Sequence, residues 1–142
     1  MLAIRAAAEA DLAALCRVDP RAEEHPGHGD FLAAAVAGGN CYVALEGDRA
    51  CGYLVFDHSF FGEGFVHTLY VAADARRRGV GAALMAHAET LCQTPKLFTS
   101  TNLSNHSMQA LLAKLGYKLS GVIHDLDEGD PELIYVKYLT AN

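Results

Sequence analysis

The segment LYVAADARRRGVGAALMAHAE, residues 69–89, carries the pattern that decides the fold. An apolar stretch typical of a strand ends at Val71, and apolar residues at helical spacing begin at Gly81. Gly79 and Gly81 leave the backbone bare where the helix begins, and three arginines stand at 76–78. Unpaired N–H groups and the positive end of a helix dipole favour an anion there. The segment therefore predicts a strand–loop–helix unit that binds a diphosphate.

Two well-known phosphate-binding motifs do not match this loop. A dinucleotide-binding fingerprint needs a third glycine after Gly79 and Gly81, and the sequence lacks it. A P-loop needs Gly-Lys-Ser/Thr, which is also absent. A plain turn with two glycines and solvated arginines stays open when the loop is taken alone.

Periodicity on both sides of this unit predicts one α/β (α+β) domain over residues 1–142. Helices are expected at 9–18, 31–37, 81–91 and 105–115, and strands at 2–6, 41–46, 50–57, 65–72, 96–101, 121–126 and 132–139. Two prolines and two glycines predict a loop at 19–30. Because hairpins and helical crossovers both occur, we expect a central mixed, mostly antiparallel sheet of six to seven strands, flanked by about four helices.

Composition narrows the classes of function. Apolar residues make up 51% of the chain and charged residues 20%, as in ordinary globular proteins. The net charge of -6 argues against nucleic acid as a partner but allows a cationic substrate. No apolar run reaches the roughly 20 residues of a membrane-spanning helix, and the start does not read as a signal peptide. A cytoplasmic protein with no membrane partner is expected.

The four cysteines, Cys16, Cys41, Cys51 and Cys92, are scattered along the chain. No pair has the spacing of a metal knuckle or a redox motif. His25, His28 and Asp30 match no standard metal site either. Reduced thiols and no metal are predicted.

Together with NHSMQALLAKLGY, residues 105–117, the glycine loop resembles the GNAT (Gcn5-related N-acetyltransferase) superfamily. The family's cofactor motif is Arg/Gln-x-x-Gly-x-Gly/Ala after a strand reading Leu-Tyr-Val, matched here by Arg76, Gly79 and Gly81 after residues 69–71. Its next motif is an Asn that opens a helix ending in Gly-Phe/Tyr, matched by Asn105 and residues 116–117. The stretches FTSTNLSN and LDEGDPELIYVK further look like a group of small bacterial members. The order of elements fits over nearly the whole chain.

The resemblance implies an N-acetyltransferase that moves an acetyl group from acetyl-CoA to a primary amine by direct attack on the thioester. The strand end at residues 69–71 would pair with the pantetheine arm and offer an N–H to the oxyanion, while residues 76–82 would hold the pyrophosphate. The implied cofactor-binding residues are Leu69, Tyr70, Val71, Arg76, Arg77, Arg78, Gly79, Val80, Gly81, Ala82 and Asn105.

A general base is needed because most amines are cations at neutral pH. In GNAT proteins a Glu on the strand before the loop often serves, and His67 stands at that position here. A His has a suitable ordinary pKa for this role, although it could instead be bonded within the sheet. Glu63, just before the predicted strand, is the second candidate for a catalytic residue.

The general acid is where the sequence departs from the family. The usual Tyr position holds Leu112, which has no proton to give. Tyr117 is expected in the core, so the thiol would leave as thiolate, or take a proton from water, Ser107 or another tyrosine.

The acceptor is expected to be a small, cationic molecule. In the family it enters past the first two helices and the last hairpin, and both regions are rich in acids here, at 23–30 and 125–132. Four alternatives stay open: ordinary solvated acids, an acetyl-CoA-binding sensor with little catalysis, a peptide or protein amine acetyltransferase, and an ATP binder. A homodimer is compatible with the sequence.

Overall fold

The computed structural model describes residues 1–139, apart from the side chain of Pro26. The strands are β1 (Leu2–Ala6), β2 (Cys41–Glu46), β3 (Arg49–Phe60), β4 (Glu63–Val71), β5 (Lys96–Asn102), β6 (Lys118–Ile123) and β7 (Glu132–Tyr138). The α-helices are α1 (Leu12–Val18), α2 (Arg21–Glu24), α3 (Pro26–Ala37), α4 (Val80–Leu91) and α5 (His106–Lys114). Short 3₁₀ turns form at Glu9–Asp11 and Ala73–Ala75.

The strands form one seven-stranded sheet in the order β1-β2-β3-β4-β5-β7-β6. Pairing is antiparallel for β1–β2, β2–β3, β5–β7 and β6–β7, and parallel for β4–β5. The predicted α/β class with a mixed sheet is confirmed. By its contacts the chain divides into a first unit, Met1–Phe56 with Thr68–Ala88, and a second unit, Asp57–His67 with the chain from Glu89 onward.

Apolar side chains of helices and strands form the core of the first unit. Leu15 of α1 and Leu32 of α3 are fully buried in one cluster with Val43 of β2 and Tyr53 of β3. Successive strand residues face opposite sides of a sheet, so Gly52 faces away from this cluster, and Val80 and Leu84 of α4 lie beside it. Helices therefore cover both faces of β3 within this unit.

We expect Gly52→Ala to destabilise the protein by about 1–3 kcal/mol because of overpacking. A Cβ at Gly52 would lie 2.8 Å from the carbonyl oxygen of Tyr70 and 3.2 Å from Cγ1 of Val80, and the backbone oxygen cannot move aside cheaply. Urea denaturation measures the loss. Gly121→Ala is the matched control, since its Cβ would meet nothing within 4 Å; equal stability of the two variants would contradict the prediction.

In the second unit, β5 alternates buried and half-buried side chains. Leu97 and Thr99 are buried, and the Thr99 hydroxyl donates to the carbonyl oxygen of Val66 in the parallel neighbour β4 at 3.0 Å. Leu112 of α5 is fully buried. A polar side chain on β5 is thus satisfied by the neighbouring strand.

The loop predicted at 19–30 is wrong, because α2 and the first half of α3 occupy it. Pro20 precedes α2, and Pro26 is the first residue of α3. At such a position the missing N–H would be unsatisfied anyway, so proline costs little. This segment accounts for five α-helices in residues 1–139 where about four were expected.

Glu63 is the first residue of β4, rather than a loop residue before the strand. The β3–β4 hairpin turns at Phe61 and Gly62, both with positive φ, at 54° and 79°. Two consecutive residues of this conformation make the tight hairpin turn that matches strand twist. Both strands are therefore longer than predicted and place Asp57, Ser59 and Glu63 on strands.

Candidate functional site

The glycine-rich loop in the first unit ends in a helix N-terminus. The N–H of Ala83 donates to the carbonyl oxygen of Gly79 at 3.0 Å and starts the bonding of α4. The preceding N–H groups, of Val80, Gly81 and Ala82, have no acceptor within the helix. Gly79 is exposed and has φ +81°, a conformation that glycine adopts without strain. A twelve-residue helix with three such donors suits an anion.

The three arginines of the loop do not act alike. Nε of Arg76 donates to the carbonyl oxygen of Val71 at 3.1 Å, which ties the loop to the end of β4. Arg78 forms an ion pair with Glu46 at 3.0 Å, so its charge is partly neutralised. Arg77 is exposed and has φ +65°. Among residues 1–139, Arg76 and Arg77 form no ion pair, which leaves two positive charges at the loop.

His67 lies in a polar cluster in the second unit. Its Nε2 is 2.7 Å from Oδ1 of Asp57 and 3.1 Å from Oγ of Ser59. The Ser59 hydroxyl and backbone N–H both donate to Asp57 Oδ1, at 2.6 and 3.0 Å. The His67 and Asp57 side chains are each 28% exposed, so solvent reaches both.

The contact with Asp57 fixes the orientation of the His67 ring. An ionised carboxylate only accepts hydrogen bonds, so Nε2 of His67 donates to Asp57. Burial opposes ionisation of Asp57, but hydrogen bonds from Ser59 and His67 outweigh it and hold the Asp57 pKa below its ordinary value. The cluster is not a Ser–His–Asp triad, because Ser59 and Asp57 contact the same ring nitrogen.

Glu63 shares one face of β4 with His67 by strand alternation, and Phe65 lies between them. The Phe65 and His67 rings meet edge to face at 4.8 Å between centroids. Glu63 Oε1 is buried and has no hydrogen-bond partner in the described part of the chain. A buried carboxylate oxygen in that state is costly, which marks Glu63 as a group able to accept a hydrogen bond.

The residues of the second motif lie on or near α5. Oδ1 of Asn105 accepts the N–H of Met108 at 3.1 Å and the Ser107 hydroxyl at 3.2 Å, so Asn105 caps the helix. Its amide nitrogen is then the group that can donate to a ligand. The buried Tyr117 donates to Glu89 at 2.8 Å. Burial and this carboxylate raise the Tyr117 pKa.

A buried carboxylate that no sequence pattern marks lies in the first unit. Asp19 follows α1, and its side chain is fully buried. Nε and Nη2 of Arg21 bind it side-on, with Nη2 at 2.6 Å from Oδ2. The Tyr53 hydroxyl donates to the same oxygen, and His28 Nε2 lies 3.1 Å from it. The Asp19 carboxylate is thus contacted by side chains from three elements: Arg21 of α2, His28 of α3 and Tyr53 of β3.

The electrostatics of this cluster favour an ionised Asp19. Burial acts to raise its pKa, but hydrogen bonds from Arg21 and Tyr53 outweigh it and lower the pKa to about 2. Burial and the hydrogen bond to Asp19 raise the pKa of Tyr53. Arg21 Cζ also lies 5.2 Å from the ring centroid of Tyr70 on β4.

The acid-rich segments at 23–30 and 125–132 differ in the hydrogen bonds that their carboxylates accept. Glu23 and Glu24 of α2 and Asp30 of α3 are exposed. In the β6–β7 connection, Asp127 accepts the Asn102 side chain at 2.9 Å, and Asp130 accepts the N–H and hydroxyl of Ser104. The second acid-rich segment therefore anchors the connection before α5.

The remaining expectations concern metals, thiols and membranes. No group of three or more His, Cys, Asp or Glu side chains within residues 1–139 is arranged to hold a metal ion. All four cysteines are free thiols, and burial raises the pKa of Cys41 to about 12. Across the same range, no helix combines the length and apolar character that a membrane span requires.

Comparison with known proteins gives one consistent result. Residues 8–117 match the model of the acetyltransferase (GNAT) family. The structure of a GNAT-family acetyltransferase from Bacillus cereus ATCC 10987 is 30% identical, with 99% of both chains covered and a TM-score of 0.91. A GNAT-family protein from Desulfovibrio desulfuricans is 20% identical, with coverage of 99% and 100% and a TM-score of 0.81.

A Bacillus anthracis protein solved in complex with acetyl coenzyme A is 19% identical, with a TM-score of 0.64. The alignment covers 69% of this chain and 61% of that one. No curated protein sequence matches this chain.

Proposed function

The chain belongs to the GNAT acetyltransferase family, and from this premise we propose that it transfers an acetyl group from acetyl-CoA to the primary amine of a small, cationic acceptor. The observation that carries the proposal is the helix N-terminus at Val80, whose first three N–H groups have no acceptor within the helix and lie beside the exposed Gly79. A diphosphate fits such donors. Acetyl-CoA supplies the acetyl thioester, and residues of the chain would bind it and take the proton from the amine.

Cofactor binding is assigned to residues 69–71 and 76–82, together with Asn105. The backbone of residues 69–71 would pair with the pantetheine amides as an added strand does. N–H groups at 80–82, with the charges of Arg76 and Arg77, would bind the pyrophosphate. The amide nitrogen of Asn105 is free to donate because its oxygen caps α5.

Proton removal from the ammonium is assigned to His67. Asp57 holds the imidazole by Nε2 and would stabilise the positive ring that forms when the imidazole takes the proton. Glu63 is the second candidate base. Leu112, at the position where a tyrosine acid is usual, is fully buried, and Tyr117 is bonded to Glu89. The sulfur would leave as thiolate, or take its proton from water, Ser107 or another tyrosine.

The cationic acceptor is supported by charge. The chain has a net charge of -6, and the exposed acids Glu23, Glu24 and Asp30 stand on α2 and α3. A negative surface raises the local concentration of a positively charged amine and loses this effect as salt rises.

We expect Gly79→Ala to weaken acetyl-CoA binding about tenfold, because Ala at φ +81° costs roughly 1–2 kcal/mol and bends the loop away from its binding conformation. Calorimetric titration with acetyl-CoA measures the Kd. Gly47→Ala is the matched control, since Gly47 has φ +61° in the β2–β3 turn and open space around it. It should lose similar stability but keep the Kd; an unchanged Kd in Gly79→Ala would contradict the loop assignment.

The experiment that tests the function is CoA release from acetyl-CoA across polyamines, amino sugars, amino acids and peptides at about pH 8, where more amine is neutral. Turnover with small cationic amines, faster at low salt, supports the proposal. Turnover confined to peptides supports a peptide or protein amine acetyltransferase instead. No turnover while acetyl-CoA binds would favour an acetyl-CoA-binding sensor, which the buried Leu112 makes the second candidate.

A further inference from the structure

We propose that Arg21 binds a carboxylate of the acceptor, so that the acceptor is an amino acid; this inference rests on the proposed function and specifies its substrate class. Arg21 belongs to the four-residue helix α2, and its side chain is 41% exposed. Nothing in the sequence pattern of residues 19–30 assigns it a role, and its position comes from the Asp19 cluster.

The first step is the fixed orientation of the guanidinium. The edge formed by Nε and Nη2 binds both oxygens of Asp19, at 3.0 to 3.1 Å and 2.6 Å. Asp19 is itself fully buried and held by Tyr53 and His28, so it cannot follow a mobile partner. An arginine bound side-on to a buried carboxylate has little freedom left to lose when it binds a second anion.

The second step is the edge that remains. Nη1 of Arg21 makes no hydrogen bond with any residue from 1 to 139, and Nη2 has only 3.4 Å contacts with Tyr53 and Thr68 besides Asp19. The two donors of Nη1 are thus available on a partly exposed side chain. A planar carboxylate matches the Nη1–Nη2 edge in the paired geometry that arginine favours.

The third step is location within the first unit. Arg21 contacts Thr68 and the ring of Tyr70, and these two residues flank Leu69 on β4. Residues 69–71 are assigned to the pantetheine arm, so an acceptor held by Arg21 lies beside that segment of the strand. Arg76 also lies 5.5 Å from the Tyr70 ring centroid. Asp19 offsets the charge of Arg21, and Arg76 adds a second guanidinium beside the same Tyr70 ring, while Glu23 and Glu24 are exposed acids on the helix of Arg21.

The ligand that fits these charges carries both an amine and a carboxylate. The amine is required by acetyl transfer, and the carboxylate by the unpaired edge of Arg21. Among cationic acceptors, a basic amino acid has both groups, whereas a polyamine or a simple amino sugar lacks the carboxylate.

The test compares CoA release with L-amino acids, their carboxamides and their decarboxylated amines, using lysine, lysinamide and cadaverine as one matched set. We expect KM for the free acid to be at least tenfold lower than for its amide, with similar kcat. Arg21→Lys, which keeps the positive charge but has no second guanidinium edge, should bring the two KM values within about threefold. Arg17→Lys, an exposed arginine on α1, is the matched control and should keep the wild-type ratio.

A second measurement does not need turnover. Calorimetric titration of the wild-type protein with an N-acetyl amino acid and with its amide should show binding of the acid only, and Arg21→Lys should lose that binding. Equal KM or equal binding for acid and amide in the wild type overturns the Arg21 proposal, even if amines are acetylated. Binding of the acid through Arg21 without turnover of any acceptor supports the Arg21 proposal and removes the proposed function instead.

Discussion

We expect His67→Gln to lower kcat/KM for the amine about 10²- to 10⁴-fold, the range of a positioned general base, while the Kd for acetyl-CoA changes less than twofold. Gln can still donate to Asp57 and fill the same place on β4, but it cannot take a proton from an ammonium. The loss should therefore fall on the chemical step. Steady-state CoA release and calorimetric titration with acetyl-CoA measure the two quantities separately.

Three further variants define this prediction. His87→Gln removes another histidine, on α4, and should leave kcat/KM unchanged. Asp57→Asn keeps the hydrogen-bonding shape but removes the charge that stabilises the imidazolium, so we expect a smaller loss of about tenfold. Glu63→Gln tests the second candidate. If Glu63→Gln abolishes turnover and His67→Gln does not, the base is Glu63 and the His67 assignment is wrong.

The fold is predictable from the sequence because its strongest signals are local. The strand before the loop, the glycines at 79 and 81, and the apolar face of α4 all fall within residues 69–89. Such signals need no knowledge of distant partners, and the order of elements around them follows from hydrophobic periodicity. The predicted element types are correct except at 19–30, where proline and glycine predict a loop although they begin and lie within helices.

Some residues of the candidate site can be predicted from the sequence and others cannot. Gly79 and Asn105 can be named from the sequence because a motif fixes their spacing. The partner of His67 cannot, since Asp57 is ten residues away on a strand whose predicted end falls there. The Asp19–Tyr53 bond spans 34 residues, and no periodic pattern marks an acid that is buried at the end of a short helix.

The acids at 125–132 show the same limit, because the sequence predicts only that they form an attractive surface. Asp130 binds the N–H and hydroxyl of Ser104, and Asp127 binds Asn102, so part of this segment shapes the connection that precedes Asn105. Composition gives the number of acidic residues but does not show which groups their carboxylates bind. The exposed acids of α2 and α3 therefore support a cationic acceptor more strongly than the acids at 125–132 do.

We expect Asp19→Asn to destabilise the protein by about 3 kcal/mol at pH 7. The change breaks the ion pair with Arg21 and places hydrogen-bond donors against each other in a buried site. The Asn amide group would place a donor against the hydroxyl of Tyr53 and Nη2 of Arg21, both of which donate to Asp19. Urea denaturation measures the free energy of unfolding. Asp30→Asn is the matched control, since Asp30 is exposed on α3, and its change should stay within about 0.5 kcal/mol.

The pH dependence of this difference identifies its cause. The pKa of Asp19 is lowered from 3.8 to about 2 in the folded protein, so its charge contributes stability that is fully present above the unfolded value and is lost as the pH falls through about 2. The shift corresponds to about 2 kcal/mol. The gap between wild type and Asp19→Asn should therefore be constant from pH 7 to about 5 and narrow by about that amount between pH 4 and pH 2. A gap that stays the same in acid would mean that Asp19 stabilises the fold through its shape and not through its charge.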